Sequence, residues 1–366
     1  MQLQTNVMLG PKTTFGTGGP ARYYVEATSR EILEEALVFA REEAQMVLLI
    51  GGGSNIIFGD GGYPGMVVRI AWKGVEFFDL DAHTTRMTVQ AGEVWDEVVG
   101  RAVEKGLWGL ENLSAIPGLA GAAAVQNIGA YGQDVSQTIA GVTVLDRKEG
   151  EVRRLSNQDC AFGYRHSLFN SARPGRYVIL ETAFDLKKTG LPNTGYPDVS
   201  KFFEKLGVGD PSIAAMRTAI TEIRAAKFAD PQQVGTAGSF FKNMLISRDL
   251  FLKLRRRLKD NSPPALVGEL DALGERFESE AGIKIPTAFL IDRVCLLKGT
   301  RVGGAMVSLS QALAIINPEH RATGRDVLRL IGLVRRRVFE KTGLIIELEP
   351  ALIGFTIAEL VEMKVT

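Results

Sequence analysis

A chain of 366 residues, 45% hydrophobic and 23% charged, has ordinary globular composition, and its length predicts about two or three domains. A formal net charge of +1 provides no global field to draw nucleic acid or an anionic membrane surface, so neither is expected as a partner, and a monomer is compatible with the composition. Two distant cysteines, Cys160 and Cys295, and three scattered histidines, His83, His166 and His320, have neither CxxC nor ligand spacing, which predicts a reduced cytosolic chain without a metal site.

Residues 1–6 have no basic start and no apolar run, so no secretory signal is expected, and no stretch approaches the ~20 apolar residues of a membrane span. Thr28-Ser29-Arg30-Glu31 reads as a capping box with Thr28 as N-cap, followed at helical spacing by Ile32, Leu33, Ala36, Leu37 and Ala40. Residues 46–50 read as a buried strand ended by three glycines, and 67–70 and 87–91 as further strands. Val94, Trp95, Val98, Val99, Ala102 and Val103 form the apolar face of a helix that Gly106 stops. The small and apolar run 115–125 is interrupted by Pro117, Gly118 and Gly121 and reads as a tight loop.

Strands are expected at 142–145 and 177–180, then an exposed loop or small insertion between 186 and 210, where the chain turns polar and rich in Gly and Pro. Asp210-Pro211 is predicted to open a helix that runs to Lys227, and Asp230-Pro231 breaks it at a domain boundary. Lys253, Arg255, Arg256 and Arg257 read as the solvated face of a helix. Thr323 and Asp326 form a second capping box, for a helix that Gly343 ends, with a strand over 344–349 behind it. Strands and helices mix without a regular βαβα alternation, so the expected fold class is α+β.

Three segments carry candidate chemistry. Gly51-Gly52-Gly53-Ser54-Asn55 fits neither GxGxxG nor a P-loop; its backbone N–H groups suit an anion nest or a tight turn. Residues 116–132 have few side chains longer than a methyl group. They suit a large flat ligand, with Gln126, Asn127 and Tyr131 at ring edges, or close packing of loop on strand. Gly235-Thr236-Ala237-Gly238-Ser239-Phe240-Phe241-Lys242-Asn243 suits either a wall for a polar substrate or a glycine-rich turn into a buried strand.

With Thr14-Phe15-Gly16, Phe162-Gly163-Tyr164-Arg165, Leu290-Ile291-Asp292, Gly303-Gly304-Ala305 and Glu347-Leu348-Glu349, these segments occur in order along nearly the whole chain. Together they resemble the UDP-N-acetylenolpyruvoylglucosamine reductase family, flavoenzymes of peptidoglycan precursor synthesis in the bacterial cytoplasm. The resemblance implies an FAD-binding domain of the vanillyl-alcohol-oxidase and p-cresol-methylhydroxylase type over residues 1–228, in subdomains of roughly 1–70 and 71–228. A smaller α+β substrate-binding domain over 229–355 and a tail over 356–366 would follow.

It also implies noncovalent FAD, held by Gly51, Gly52, Gly53, Ser54, Asn55, Pro117, Gly118, Gly121, Ala122, Gln126, Asn127, Gly129, Ala130 and Tyr131. NADPH is the implied hydride donor and UDP-N-acetylglucosamine-enolpyruvate the acceptor. Ser239 matches the family's proton donor, Arg165 its arginine at the substrate carboxylate and Glu349 its glutamate; Tyr164, Lys227 and Asn243 fall on positions around the substrate. Tyr196, inside an inserted loop at about 187–210, resembles the tyrosine that closes over substrate in the family's longer type.

Met244 replaces a usual proline, and Pro350-Ala351 a usual Val-Arg, which leaves Glu347 as a near alternative to Glu349 on the same face of a strand. Facing a carboxylate, Glu349 is expected to be protonated or hydrogen-bonded to a cation. An FAD-dependent sugar or alcohol oxidoreductase on the same fold is the alternative; no histidine lies in the glycine-rich loops to tether its flavin.

Overall fold

The computed structural model describes residues 1–364. The chain divides into two compact units, one built from residues 1–7, 21–53 and 64–226, the other from 8–20, 54–63 and the described residues from Lys227 onward.

In the first unit, the apolar run before the three glycines forms strand Val47–Ile50, paired in parallel with Tyr63–Ile70. That sheet continues through Pro20–Ala27 to Gln4–Met8. Helix Arg30–Glu42 buries Leu33, Ala36 and Ala40 in one core with Val25, Met66 and Val68, as its 3–4 spacing predicts. Its N-cap is Ser29 rather than Thr28. Ser29 has the extended backbone of a cap, and its Oγ accepts from the Ile32 N–H at 3.4 Å.

A second, antiparallel sheet runs Glu151–Ser156, Ile139–Asp146, Tyr177–Lys187, Thr84–Gln90, Val75–Asp79. Met87 and Val89 point inward while Arg86, Thr88 and Gln90 are half-exposed, the period of two that a one-sided strand requires. Trp95 of helix Trp95–Glu104 is buried edge-on to Phe184, 5.9 Å between ring centres. Residues 115–125 are not all loop: Ala120–Gln126 is helical, because the alanine-rich stretch favours a helix once Pro117 and Gly118 are behind it.

The expected loop at 186–210 contains helix Pro197–Leu206, with proline at its first turn and Gly207 in a left-handed cap. Its narrow apolar face, Val199 and Phe203, packs with Met216, Ala219, Ile220 and Tyr131. Helix Ile213–Lys227 starts after Ser212, whose Oγ accepts from the Ala215 N–H at 3.2 Å, and not at Asp210-Pro211.

In the second unit, Gly235–Ser239 is the edge of a sheet that continues through Ala314–Asn317 and Ala305–Val307 to Arg301–Val302. Met244–Ile246, Gly282–Ile285 and Glu278–Ser279 form another. Helices Arg248–Asn261, Pro264–Phe277 and Gly324–Thr342 bury Leu254, Leu270, Leu330 and Ile331 in a core shared with Phe240 and Phe241. The Thr323 and Asp326 capping box forms, and Gly343 ends that helix at φ 74. Strand Ile56–Phe58 pairs in parallel with Ala351–Ile353, which places residues 54–63 in this unit directly after the three glycines. Residues 344–349 form no regular strand; Leu348 alone bridges to Phe241, in a stretch bracketed by Gly343 and Pro350.

The cap assignment has a direct test. Ser29→Ala is expected to lower the unfolding free energy by about 1 kcal/mol in a denaturant titration. Thr28→Ala is expected to change it by less than about 0.5 kcal/mol. The reverse order would contradict Ser29 as the cap.

Candidate functional site

The two glycine-rich loops of the first unit meet backbone to backbone. A β-carbon at Gly52 would stand 3.1 Å from the Gly118 Cα, and one at Gly51 3.3 Å from the Ala122 Cβ. A β-carbon at Gly121 would come within 2.8 Å of the Ala91 Cβ, so glycine is required where helix Ala120–Gln126 begins. The Ala120 and Gly121 N–H groups donate to Glu93 O and Ala91 O at 2.9 and 3.0 Å, and the Trp95 N–H to Gly118 O at 3.0 Å. Gly51, Gly52, Pro117, Gly118 and the exposed Ala122 thus present a firm surface of backbone and short side chains, while Gly53 is buried. Such a cradle fits the flat ring and pyrophosphate of a flavin dinucleotide; a side chain at Gly52 would press on Gly118 and one at Gly121 on Ala91, forcing apart the elements that shape it.

Beyond this helix, Gly129–Ala130 pairs with Gln133–Asp134 through a two-residue turn in which Tyr131 (φ 49) and Gly132 (φ 82) are both left-handed. Tyr131 is 7% exposed and meets Tyr196 edge-on at 5.3 Å. Asn112 Nδ2 donates to Tyr131 O and to Asn193 O, each at 2.9 Å. Gln126 is half-buried. Asn127 is buried, and its side chain ties the loop to its neighbours: Nδ2 donates to Gly163 O at 2.8 Å and Oδ1 accepts from the Ser136 N–H at 3.1 Å.

Gly163 and His166 exchange backbone hydrogen bonds of 2.9 and 3.1 Å, which sets Tyr164 and Arg165 at the tip of a tight turn. Arg165 is left-handed (φ 53), its Nη2 donates to Gly129 O at 2.7 Å, and its guanidinium lies 5.3 Å from the centre of the Tyr164 ring. The first unit therefore brings Arg165, Tyr164 and the Gly129–Tyr131 loop together, with Tyr196 against Tyr131.

Sequence reading missed Arg224. Its Nε donates to Ala115 O at 3.1 Å, and burial pulls its guanidinium below the usual value while Tyr131 opposes that shift. The available signal was its spacing of seven from Arg217, which puts both on one helix face.

In the second unit, the strand leading to Ser239 is fastened to the Thr14-Phe15-Gly16 segment. The Thr236 N–H donates to Thr14 O at 3.0 Å, Thr14 Oγ1 donates to Thr236 O at 2.6 Å, and the Phe15 carbonyl occupies the space a β-carbon on Gly235 would need. Phe240 and Phe241 are core residues, Phe240 edge-on to Phe15 at 5.7 Å. Past Ser239 the chain runs antiparallel to residues 347–349: the Glu349 N–H donates to Phe240 O at 3.0 Å and the Lys242 N–H to Glu347 O at 2.9 Å.

This register separates the two glutamates. Glu347 has a side chain 75% exposed and pairs with Lys242 Nζ at 3.4 Å. Glu349 is half-buried, and its carbonyl accepts from Asn55 Nδ2 at 3.3 Å. Asn55 O in turn accepts from the Ala351 N–H at 3.0 Å, so Asn55 is fastened to the Glu349 segment, with the half-buried Ser54 just before it in the chain. Asn243 Oδ1 accepts from the Thr287 N–H at 3.1 Å, and Lys227 O from Ser310 Oγ at 2.9 Å.

Burial pushes the Tyr131 phenol up to about 12, against the opposing pull of Arg224. A tyrosine raised in the folded state stabilises the fold fully below its unfolded pKa of about 10 and loses that contribution as pH climbs toward the folded value. Between pH 9 and 12, wild type is therefore expected to lose roughly 2 kcal/mol more stability than Tyr131→Phe, measured by urea midpoints. Parallel alkaline limbs would contradict the burial of this hydroxyl.

Residues 21–156 match the family model described as an FAD binding domain, and residues 230–353 the one described as the UDP-N-acetylenolpyruvoylglucosamine reductase C-terminal domain. The chain is 37% identical over 352 residues to the UDP-N-acetylenolpyruvoylglucosamine reductase of Pseudomonas syringae pv. tomato, covering 96% of this chain and 99% of that one. It is 40% identical over 358 residues to the Streptomyces coelicolor enzyme of the same name, covering 94% and 89%. The crystal structure of UDP-N-acetylenolpyruvylglucosamine reductase from Thermus caldophilus matches at a TM-score of 0.64 and 26% identity, over 96% of this chain and 99% of that one. With a glycine-lined cradle in one unit and the Ser239 and Glu349 segments side by side in the other, the chain belongs to the UDP-N-acetylenolpyruvoylglucosamine reductase family, FAD-containing oxidoreductases of peptidoglycan synthesis.

Proposed function

We propose that this reductase uses NADPH to convert the enolpyruvyl ether of UDP-N-acetylglucosamine-enolpyruvate into the lactyl ether of UDP-N-acetylmuramate in the bacterial cytoplasm. The chemistry supplied by bound FAD is hydride relay, from NADPH to the terminal carbon of the double bond. Gly51 to Asn55 and the loop from Pro117 to Tyr131 hold that cofactor. Arg165 binds the substrate carboxylate as a planar fork, stabilising the negative charge that spreads into it as hydride arrives. Ser239 donates a proton to the carbon next to the ether oxygen. Serine is a weak acid, so its contribution depends on placement more than on acidity.

Glu349 acts beside Ser239, while Tyr164, Tyr196, Lys227 and Asn243 contact the substrate. Residues 1–228 form the FAD-binding domain, which also lends Tyr164, Arg165, Tyr196 and Lys227 to the substrate, and residues 229–355 form the substrate-binding domain, although 8–20 and 54–63 pack in the second compact unit. The observation that carries the reading is the pairing of residues 240–242 with 347–349, which supports Ser239 and Glu349 acting together and leaves Glu347 to Lys242.

Ser239→Ala is expected to bind FAD and be reduced by NADPH at the wild-type rate, yet to be reoxidised by the enolpyruvyl sugar at least ~100-fold more slowly in stopped-flow absorbance. Wild-type reoxidation would remove Ser239 as the proton donor. Glu349→Gln is expected to lose far more turnover than Glu347→Gln; the opposite ranking in steady-state assays would move the role to Glu347.

A further inference from the structure

Ala115 immediately precedes Ile116-Pro117-Gly118, the flavin-facing loop, and has a left-handed backbone (φ 57), which is uncommon and costly for a residue other than glycine. Side chains hold both of its backbone polar groups. Asp96 Oδ1 accepts from the Ala115 N–H at 2.6 Å, and Arg224 Nε donates to Ala115 O at 3.1 Å. Asp96 is itself gripped by Arg217, whose Nη1 and Nη2 donate to its two oxygens at 2.7 and 2.9 Å in a bidentate fork.

Arg217 and Arg224 stand two turns apart on helix Ile213–Lys227, and Asp96 lies in the first turn of helix Trp95–Glu104. Two helices thus converge on one residue of the loop. Burial pushes the Asp96 carboxyl up, but Arg217 and the Ala115 N–H outweigh it, and the group stays below the usual carboxylate range as an anion.

We propose that Asp96 is a positioning residue for the flavin: gripped by Arg217, it fixes Ala115 together with Arg224 and so sets the position of the Ile116-Pro117-Gly118 loop against bound FAD. The inference rests on the reading that this loop faces FAD. An ion pair serving stability alone would not need to share an oxygen with the one left-handed alanine next to the loop. The clamp also ties the loop to the helix that ends in Lys227.

The test compares Asp96→Ala, Asp96→Asn and Arg217→Met with wild type. Asp96→Ala is expected to bind FAD about tenfold more weakly, the order expected for losing a charge-assisted hydrogen bond. Its visible flavin spectrum and midpoint potential should shift, and kcat should fall while the KM for the enolpyruvyl sugar stays within about twofold. Asp96→Asn, whose amide oxygen can still accept from the Ala115 N–H, should recover part of the loss. Arg217→Met should weaken FAD in the same direction, and in the double variant the two effects should not add.

Lower thermal stability with unchanged FAD affinity, spectrum and potential would overturn the proposal, in Asp96→Ala or, if that variant does not fold, in Arg217→Met. Wild-type protein that takes up no FAD would overturn both the proposal and the functional reading beneath it.

Discussion

Between Gly52 and Gly118 there is room for two backbones and nothing more. That closeness requires the run of glycines after strand Val47–Ile50, and it shapes the small-residue surface from Pro117 to Ala122. It is maintained from behind. Glu93 and Ala91 take up the first N–H groups of helix Ala120–Gln126, Gly121 admits Ala91, and Asp96 with Arg224 holds Ala115. At the far end, the tight Tyr131-Gly132 turn and Arg165 bound to Gly129 O fix the other rim. The cost falls on the backbone, since Ala115, Asn127, Tyr131 and Arg165 are all non-glycine residues in left-handed conformations, each of order 1 kcal/mol or more. Such strain persists where surrounding hydrogen bonds over-determine it, and here those bonds are present.

The second unit solves a different problem: placing a hydroxyl and a carboxylate on adjacent segments. Its strand Gly235–Ser239 is anchored by Thr14 and Phe15, and the following phenylalanines are sunk in the core, so Ser239 sits at the end of a rigid element. The short pairing with residues 347–349 then sorts two glutamates that sequence spacing makes equivalent. One is drawn to Lys242 at the surface, the other is kept half-buried with its carbonyl bonded to Asn55.

Where structure follows from local pattern, it was legible. The apolar run ending in glycines, the 3–4 spacing of helix Arg30–Glu42 and the capping box of helix Gly324–Thr342 all formed, and the irregular order of strands pointed to α+β. Where it depends on distant partners, it was not. Helix Pro197–Leu206 hides in a polar stretch because two apolar residues suffice once Met216, Ile220 and Tyr131 cover them. Ala120–Gln126 was obscured by the proline and glycine just before it. Residues 344–349 have a strand composition but only one bridging partner. The Asp96, Arg217 and Arg224 clamp joins residues more than a hundred positions apart, with no short motif to announce it. The candidate site was proposed from its glycines, Ser239, Arg165 and Glu349, which fall in recognisable order; the supporting bonds around them have no such pattern in the sequence.

The central claim is that a flavin lies on the small-residue surface and passes reducing equivalents to an enolpyruvyl sugar. The most direct measurement is the visible absorption of the purified protein without oxygen, first alone, then with NADPH, then with UDP-N-acetylglucosamine-enolpyruvate. The account predicts oxidised-flavin bands that NADPH bleaches and that one equivalent of the sugar restores. A colourless protein unable to take up FAD, or bleached protein whose colour does not return with the sugar, would contradict it.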